Sequence, residues 1–248
     1  MRIDQDIRYQ PGAMGLMDVY RPAHASEKLP LVVFIYGGAW RSGSKAMYRF
    51  AAVPLARAGM VVVVPDYRKV PDVRFPEFLD DNAHAVAFAR EHAAEWGADP
   101  EQLFLIGHSA GGYNALMLGL DPHYLADAGL APHAVKGVIG MAAPADFLPL
   151  DDPDTIAAFG NAPDPALTQP VNFARPDAPA LLLLHGDQDD TVYPRNAVAL
   201  SRRMRAVGGE VAFIRYPNLG HIGLVTALAP LFEGRATVRE DIVTFIKK

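Results

Sequence analysis

Ser109 stands in Gly107-His108-Ser109-Ala110-Gly111, the spacing G-x-S-x-G, and is one of only five serines in the chain. An apolar run precedes it and helix-forming residues follow. In that setting the serine occupies a sharp strand-to-helix turn that lifts its hydroxyl above the sheet, and small flanking residues let strand and helix approach. The N–H of Ala110 then lies at the positive end of a helix. A serine hydroxyl becomes a useful nucleophile only when a base takes its proton. Of eight histidines, His221 is best placed, in "YPNLGHIG" after the last predicted strand and before a helix. His108 is expected to point away from Ser109 and to be structural. His185 is expected to order its loop. A carboxylate must in turn hold the tautomer of the base. "HGDQDDTV" offers Asp187, Asp189 and Asp190, and spacing alone leaves the three open.

These groups need a frame. "LVVFIY" (31–36), "MVVVVP" (60–65), "QLFLIG" (102–107), "VKGVIGMA" (135–142), "ALLLLHG" (180–186) and "EVAFIRYP" (210–217) are short apolar runs, most of them without polar alternation. Such runs suit strands covered on both faces, as in a parallel sheet. Helical patterns lie between them, over 44–59 (with Pro54 as a kink point), 75–97, 195–209 and 234–248. Strands alternating with helices predict an α/β domain with a mostly parallel central sheet flanked by helices. "LMDVYRP" (16–22) reads as an antiparallel edge strand. We expect a single domain over 1–248. One stretch, 145–179, is rich in proline and aspartate and too long for an ordinary connection. It is either a loose surface loop or a small lid; Phe147, Phe159 and Phe173 favour the lid, because they need something to cover.

The bulk composition narrows the class. Half the 248 residues are hydrophobic and the formal net charge is −5. No Lys/Arg run is available to track a phosphate backbone, so nucleic acid is not an expected partner. The chain has no cysteine, which removes disulfides, thiolate metal sites and a cysteine nucleophile together. No H-E-x-x-H motif occurs, and neither a metal nor a cofactor is expected. "GAWRSGSK" (38–45) comes near a phosphate-binding loop, but Ser44 stands where the lysine is required. The N-terminus carries acidic residues where a signal peptide needs an apolar run, and no run is long enough to span a membrane. The expectation is a cytoplasmic chain without membrane association. The sequence does not speak to oligomeric state.

The chain resembles the α/β-hydrolase superfamily, within it the esterase/lipase group with an H-G-G-[GA]-W oxyanion motif, from about residue 16 to 247. Tyr36-Gly37-Gly38-Ala39-Trp40 matches that motif apart from its first residue. "PDYRKVPDVRFPEFLDD" is similar to the group's D-Y-R-x-x-P…F-P segment, with Asp66, Tyr67 and Arg68 as framework residues. "HGDQDDTV" is similar to H-G-x-x-D-x-x-V, which implies Asp189 as the triad acid, with Asp187 as fallback. His221 matches the G-H position, and the order Ser…Asp…His is that of the superfamily.

The resemblance implies an α/β-hydrolase fold with Ser109, His221 and Asp189 as catalytic residues. It implies an oxyanion hole from the N–H groups of Gly38, Ala39 and Ala110. A proline at position 39 is then expected to silence the chain without unfolding it. Trp40, Tyr113, Phe147 and Ile222 are expected to line an apolar pocket. The implied reaction is hydrolysis of carboxylic esters of short or medium acyl groups, with a small-molecule ester as substrate. An arylformamidase-type amide hydrolase and an inactive hydrolase-fold binding protein are the alternatives. Tyr36 replaces the histidine usual in the group and is expected to brace the same loop from another anchor.

Overall fold

A computed structural model describes residues 1–25 and 27–248, with Glu233 described by its backbone alone. Eight strands form one sheet: β1 (Arg2–Arg8), β2 (Leu16–Arg21), β3 (Leu29–Ile35), β4 (Val61–Pro65), β5 (Ala98–His108), β6 (Val135–Met141), β7 (Ala180–Gly186) and β8 (Val211–Tyr216). Their order is β1-β2-β4-β3-β5-β6-β7-β8. The strands from β4 to β8 run parallel, and β1 and β2 add an antiparallel margin. β2 is antiparallel as expected but is not the edge. β1 lies outside it, and its sequence "RIDQDIR" carries no apolar run to announce a strand. A charged, partly exposed outer strand also resists pairing with another chain.

Every residue of β4 is buried, as are the last six of β5, β7 and the last five of β3. Strands with no polar alternation thus lie between two helical layers, and burial on both faces accounts for their composition. The helices are α1 (Arg49–Arg57), α2 (Glu77–Glu91), α3 (Ala110–Leu120), α4 (Pro122–Asp127), α5 (Pro153–Phe159), α6 (Arg195–Ala206), α7 (His221–Thr226) and α8 (Val238–Ile246). The predicted 44–59 helix is split. Ser44 caps a 3₁₀ turn over Lys45–Tyr48, and α1 then runs on with Pro54 inside it.

The strand order reverses between β3 and β5. β3 leads outward to β4, and the chain then crosses back to β5 on the other side. In a parallel sheet this is where loops at the carboxyl ends of neighbouring strands diverge and leave a crevice. The loop after β3 holds Gly37 to Trp40, and the turn after β5 holds Ser109.

Residues 145–179 are ordered into α5 and two 3₁₀ turns, Pro165–Thr168 and Pro170–Phe173. The side chain of Asp152 caps α5 by accepting from the N–H groups of Asp154 and Thr155. Phe159 is buried with its ring 4.7 Å from Trp40, 5.1 Å from Tyr113 and 5.4 Å from Phe147. Phe75 N–H donates to the Ala158 carbonyl, and Arg41 pairs with Asp154 at 2.7 Å. Phe173 is half-buried against the core.

Candidate active site

Ser109 joins β5 to α3 with φ 56° and ψ −125°, a conformation that side-chain-bearing residues rarely hold. Its N–H is tied to the Met141 carbonyl at 2.9 Å and its carbonyl to the Tyr113 N–H at 3.0 Å. The flanking glycines are required by space. A Cβ on Gly111 would lie 2.1 Å from the Ile35 oxygen, and one on Gly107 would lie 2.0 Å from the Gly111 oxygen. The turn therefore packs directly on the end of β3, which brings Ser109 beside the Gly37–Trp40 loop.

His221 opens α7, and its Nε2 is 2.9 Å from Ser109 Oγ. Its Nδ1 is 2.9 Å from Asp189 Oδ2. Asp189 Oδ1 accepts from the N–H groups of Thr191 (3.0 Å) and Val192 (2.8 Å). The carboxyl is buried, which alone would raise its pKa. Hydrogen bonds from His185, His221 and the Val192 N–H outweigh that and hold it well below the usual carboxylate range. Asp187 is exposed and pairs with Arg215 at 2.7 Å, away from His221. Asp190 is exposed at the cavity wall. Gln188 N–H donates to the Leu219 carbonyl at 3.0 Å, so the aspartate loop and the histidine loop are fastened to each other.

His185 directs Nε2 to the Val192 carbonyl at 2.7 Å, which orders the aspartate loop. His108 faces away from Ser109: Nδ1 meets Tyr48 Oη at 3.2 Å and Nε2 meets the His221 carbonyl at 3.1 Å. Burial, reinforced by His221, drives its pKa down to about 3. Unfolded, His108 takes a proton near pH 6.5, whereas folded it stays neutral until about pH 3. Full stability holds above about pH 6.5 and is lost progressively below it, at up to about 1.4 kcal/mol per pH unit from this residue. Urea melts between about pH 7 and pH 4.5 should show a loss that is shallower in His108→Gln. Equal slopes would refute the assignment. Asp189 acts in the same direction, but only below the ordinary carboxylate range near pH 4.

Ala39 and Trp40 both hold positive φ, 53° and 55°. Among the described residues the Ala39 N–H has no acceptor, and Ala110, the first residue of α3, lies where a helix leaves its N–H groups unpaired. The Gly38 carbonyl accepts from the N–H groups of Arg41 and Ser42, which closes the loop into a tight turn. Ala39→Pro would do more to this loop than remove a donor. Proline holds φ near −65°, so the substitution would rebuild the loop as well as delete a donor.

Ala39, Trp40, Ser109 and Phe147 share one cavity of about 420 Å³ with Asp151, Asp152, Asp154, Asp190 and Tyr193. Two expected wall residues lie elsewhere. Tyr113 is one turn into α3 and fully buried behind Trp40, its ring edge-on at 5.4 Å. Ile222 is 63% exposed beside His221 and outside the wall. Sequence reasoning missed the aspartates of 151–154 and Tyr193. The phenylalanines of 145–179 pointed to a lid, but nothing in the sequence showed that the aspartates at its start would face the cavity beside Ser109.

Tyr36 is fully buried. Its hydroxyl donates to Asp66 Oδ1 at 2.9 Å and accepts from Lys69 Nζ at 2.8 Å, and Tyr67 Oη donates to the Tyr36 carbonyl at 2.9 Å. Burial raises the Tyr36 pKa, so the phenol stays neutral. Asp66 also receives the Lys45 N–H, and Arg68 grips Asp81 through Nε and Nη2. Tyr36→Phe removes one member of a network whose other members keep partners. We expect about 1 kcal/mol of lost stability and a fall in turnover of about tenfold or less, with Ser109 still labelled by a fluorophosphonate. Complete loss of labelling would place Tyr36 in the chemistry itself.

The BD-FAE family model matches residues 17–204. Esterase LipC of Mycobacterium tuberculosis is 30% identical, over 87% of this chain and 58% of its own length. The isoprenylcysteine alpha-carbonyl methylesterase ICME of Arabidopsis thaliana is 24% identical, over 99% of this chain and 62% of its own. The chain thus spans about three fifths of the length of these relatives. Among solved structures, a truncated carbohydrate esterase from gut microbiota superposes with TM-score 0.84 at 23% identity, over 100% of this chain and 95% of that one. Esterase B from Lactobacillus rhamnosis gives TM-score 0.83 at 20% identity, over 99% and 85%. At such identities the likeness carries the fold, an α/β-hydrolase sheet flanked by helices. With three quarters of the chain inside the matched region, this protein belongs to the BD-FAE family.

Proposed function

We propose that the chain is a serine hydrolase that cleaves carboxylic esters of short or medium acyl groups through an acyl-enzyme. One observation carries the reading: His221 stands 2.9 Å from both Ser109 Oγ and Asp189 Oδ2, through opposite ring nitrogens. The names of the relatives, esterases and methylesterases, support the same reaction.

The chemistry follows from the geometry. Asp189 accepts the Nδ1 proton, which leaves Nε2 bare toward Ser109. As Oγ attacks the ester carbonyl, its proton moves to Nε2 and the imidazolium is held by the carboxylate. The N–H groups of Ala39 and Ala110, with Gly38, stabilise the oxygen as it becomes negative. On collapse, His221 returns the proton to the leaving alcohol. Water then enters, gives its proton to Nε2 and releases the acid, and Ser109 regains its proton.

The cavity volume suits a small ligand. Four aspartates along its wall favour a short acyl chain over a long one, and residues 145–179 act as a lid through Phe147 and Phe159. A fluorophosphonate should label Ser109 stoichiometrically, and p-nitrophenyl acetate and butyrate should be cleaved faster than the decanoate. An unlabelled Ser109, or a decanoate cleaved fastest, would defeat the proposal.

A further inference from the structure

We infer that Tyr48 and His108 form a directed hydrogen-bond chain that positions the oxyanion loop and the His221 turn relative to each other. The inference rests on the reading of Ser109 and His221 as the reacting pair. Three contacts make the chain. Gly37 N–H donates to Tyr48 Oη at 3.2 Å, Tyr48 Oη meets His108 Nδ1 at 3.2 Å, and His108 Nε2 meets the His221 carbonyl at 3.1 Å.

Only one arrangement of protons satisfies all three. The His221 carbonyl can only accept, so His108 Nε2 carries a proton. The ring is buried, which favours its neutral form, so Nδ1 is bare. Tyr48 must therefore donate to Nδ1, and its oxygen is free to accept from Gly37. The opposite tautomer would put a bare Nε2 against a carbonyl oxygen and leave the Tyr48 proton without an acceptor. Burial keeps Tyr48 a neutral phenol that can donate.

The placement of the chain gives it a function. Gly37 immediately precedes the loop of proposed oxyanion donors, and His221 is already held through both ring nitrogens. His108 fixes the same residue by its carbonyl, and the two rings lie 4.8 Å apart. Tyr48 is held among Phe34, Tyr36 and Phe50, with ring centroids 5.6 to 5.8 Å away. Both halves of the machinery are thus referred to one rigid element. Cutting the chain frees them to drift, and small misplacements of reacting groups cost up to about a hundredfold in rate. Tyr48 and His108 are positioning residues, since neither touches Ser109 Oγ.

Two measurements on the full chain test this. ¹⁵N-histidine spectra, with His108 assigned by its loss in His108→Gln, should show Nε2 protonated and Nδ1 bare, unchanged between about pH 5 and pH 8. An Nδ1–H tautomer, or titration in that range, overturns the chain. Second, kcat of Tyr48→Phe, counted per fluorophosphonate-titrated Ser109, should fall about 10- to 100-fold with KM nearly constant. The double variant with His108→Gln should be no slower than the slower single variant. A kcat per titrated site equal to wild type, or additive losses, overturns the positioning role. Should Tyr48→Phe fail to fold, His108→Gln carries the same kcat comparison. The tautomer is read without substrate, so the expected tautomer in a chain with no ester turnover would sink the esterase reading alone.

Discussion

Ser109→Ala is expected to lower ester turnover by about six orders of magnitude, to background, and to abolish fluorophosphonate labelling. Among the described residues, the hydroxyl hydrogen-bonded to His221 Nε2 is that of Ser109, at 2.9 Å. The fold should survive, because the tight packing here comes from the glycines around the serine. Stability offers an independent check. Ser109 holds φ 56° and ψ −125°, and alanine inherits that strain because it also has a Cβ. Ser109→Gly relieves it. Strain of this kind costs about 1–3 kcal/mol, and glycine gives back about 0.5–1 kcal/mol in unfolded-state entropy. The glycine variant should therefore be the more stable of two equally inactive proteins, by about 1 kcal/mol. Thermal melts of the pair measure this directly. Residual turnover in Ser109→Ala above about a thousandth of wild type would move the nucleophile elsewhere.

The sheet was legible because its central strands are buried on both faces. "VVVVP" and "LLLLHG" admit few other readings once helical patterns lie between them. The elbow was legible because close backbone approach demands small residues at fixed spacing. β1 was not, since an outer strand needs no apolar run, and so β2 was misread as the edge. The direction of Tyr113 was also hidden: an aromatic four residues after Ser109 can face either the cavity or the core, and packing against Phe159 chose the core. The positive φ of Ala39 leaves no mark on a small residue. The partners of Tyr36 and of Tyr48 lie tens of residues away in the chain, at Asp66, Lys69 and His108, and only the folded chain brings them together. Spacing left three aspartates open, and geometry separates them: Asp187 is turned to Arg215, Asp190 to the cavity, and Asp189 to His221.

That separation gives the second large effect. Asp189→Asn is expected to lower kcat about ten-thousandfold while leaving the fold intact. The surroundings decide which way the new amide turns. Oδ1 receives two backbone donors, from Thr191 and Val192, so the amide oxygen must stay there. The amide nitrogen then takes the place of Oδ2, facing His221 Nδ1, and it can only donate. His221 Nδ1 must become an acceptor, and its proton moves to Nε2. The base then presents N–H rather than a lone pair to Ser109, and the hydroxyl has nowhere to send its proton. The volume barely changes and the backbone donors keep their acceptor, so the far-UV spectrum should stay close to wild type, while the melting temperature near neutral pH should fall, because the ionised carboxylate that His185, His221 and the Val192 N–H stabilise is gone. Asp187→Asn, which loosens only an exposed pair with Arg215, should keep wild-type turnover. A loss smaller than about tenfold in Asp189→Asn, or a large one in Asp187→Asn, would pass the acid's role to another carboxylate. The comparison is sharp because the two residues share one loop and differ in what they face. A defect caused by loop distortion would appear in both variants, whereas a wrong tautomer at His221 can arise only from Asp189.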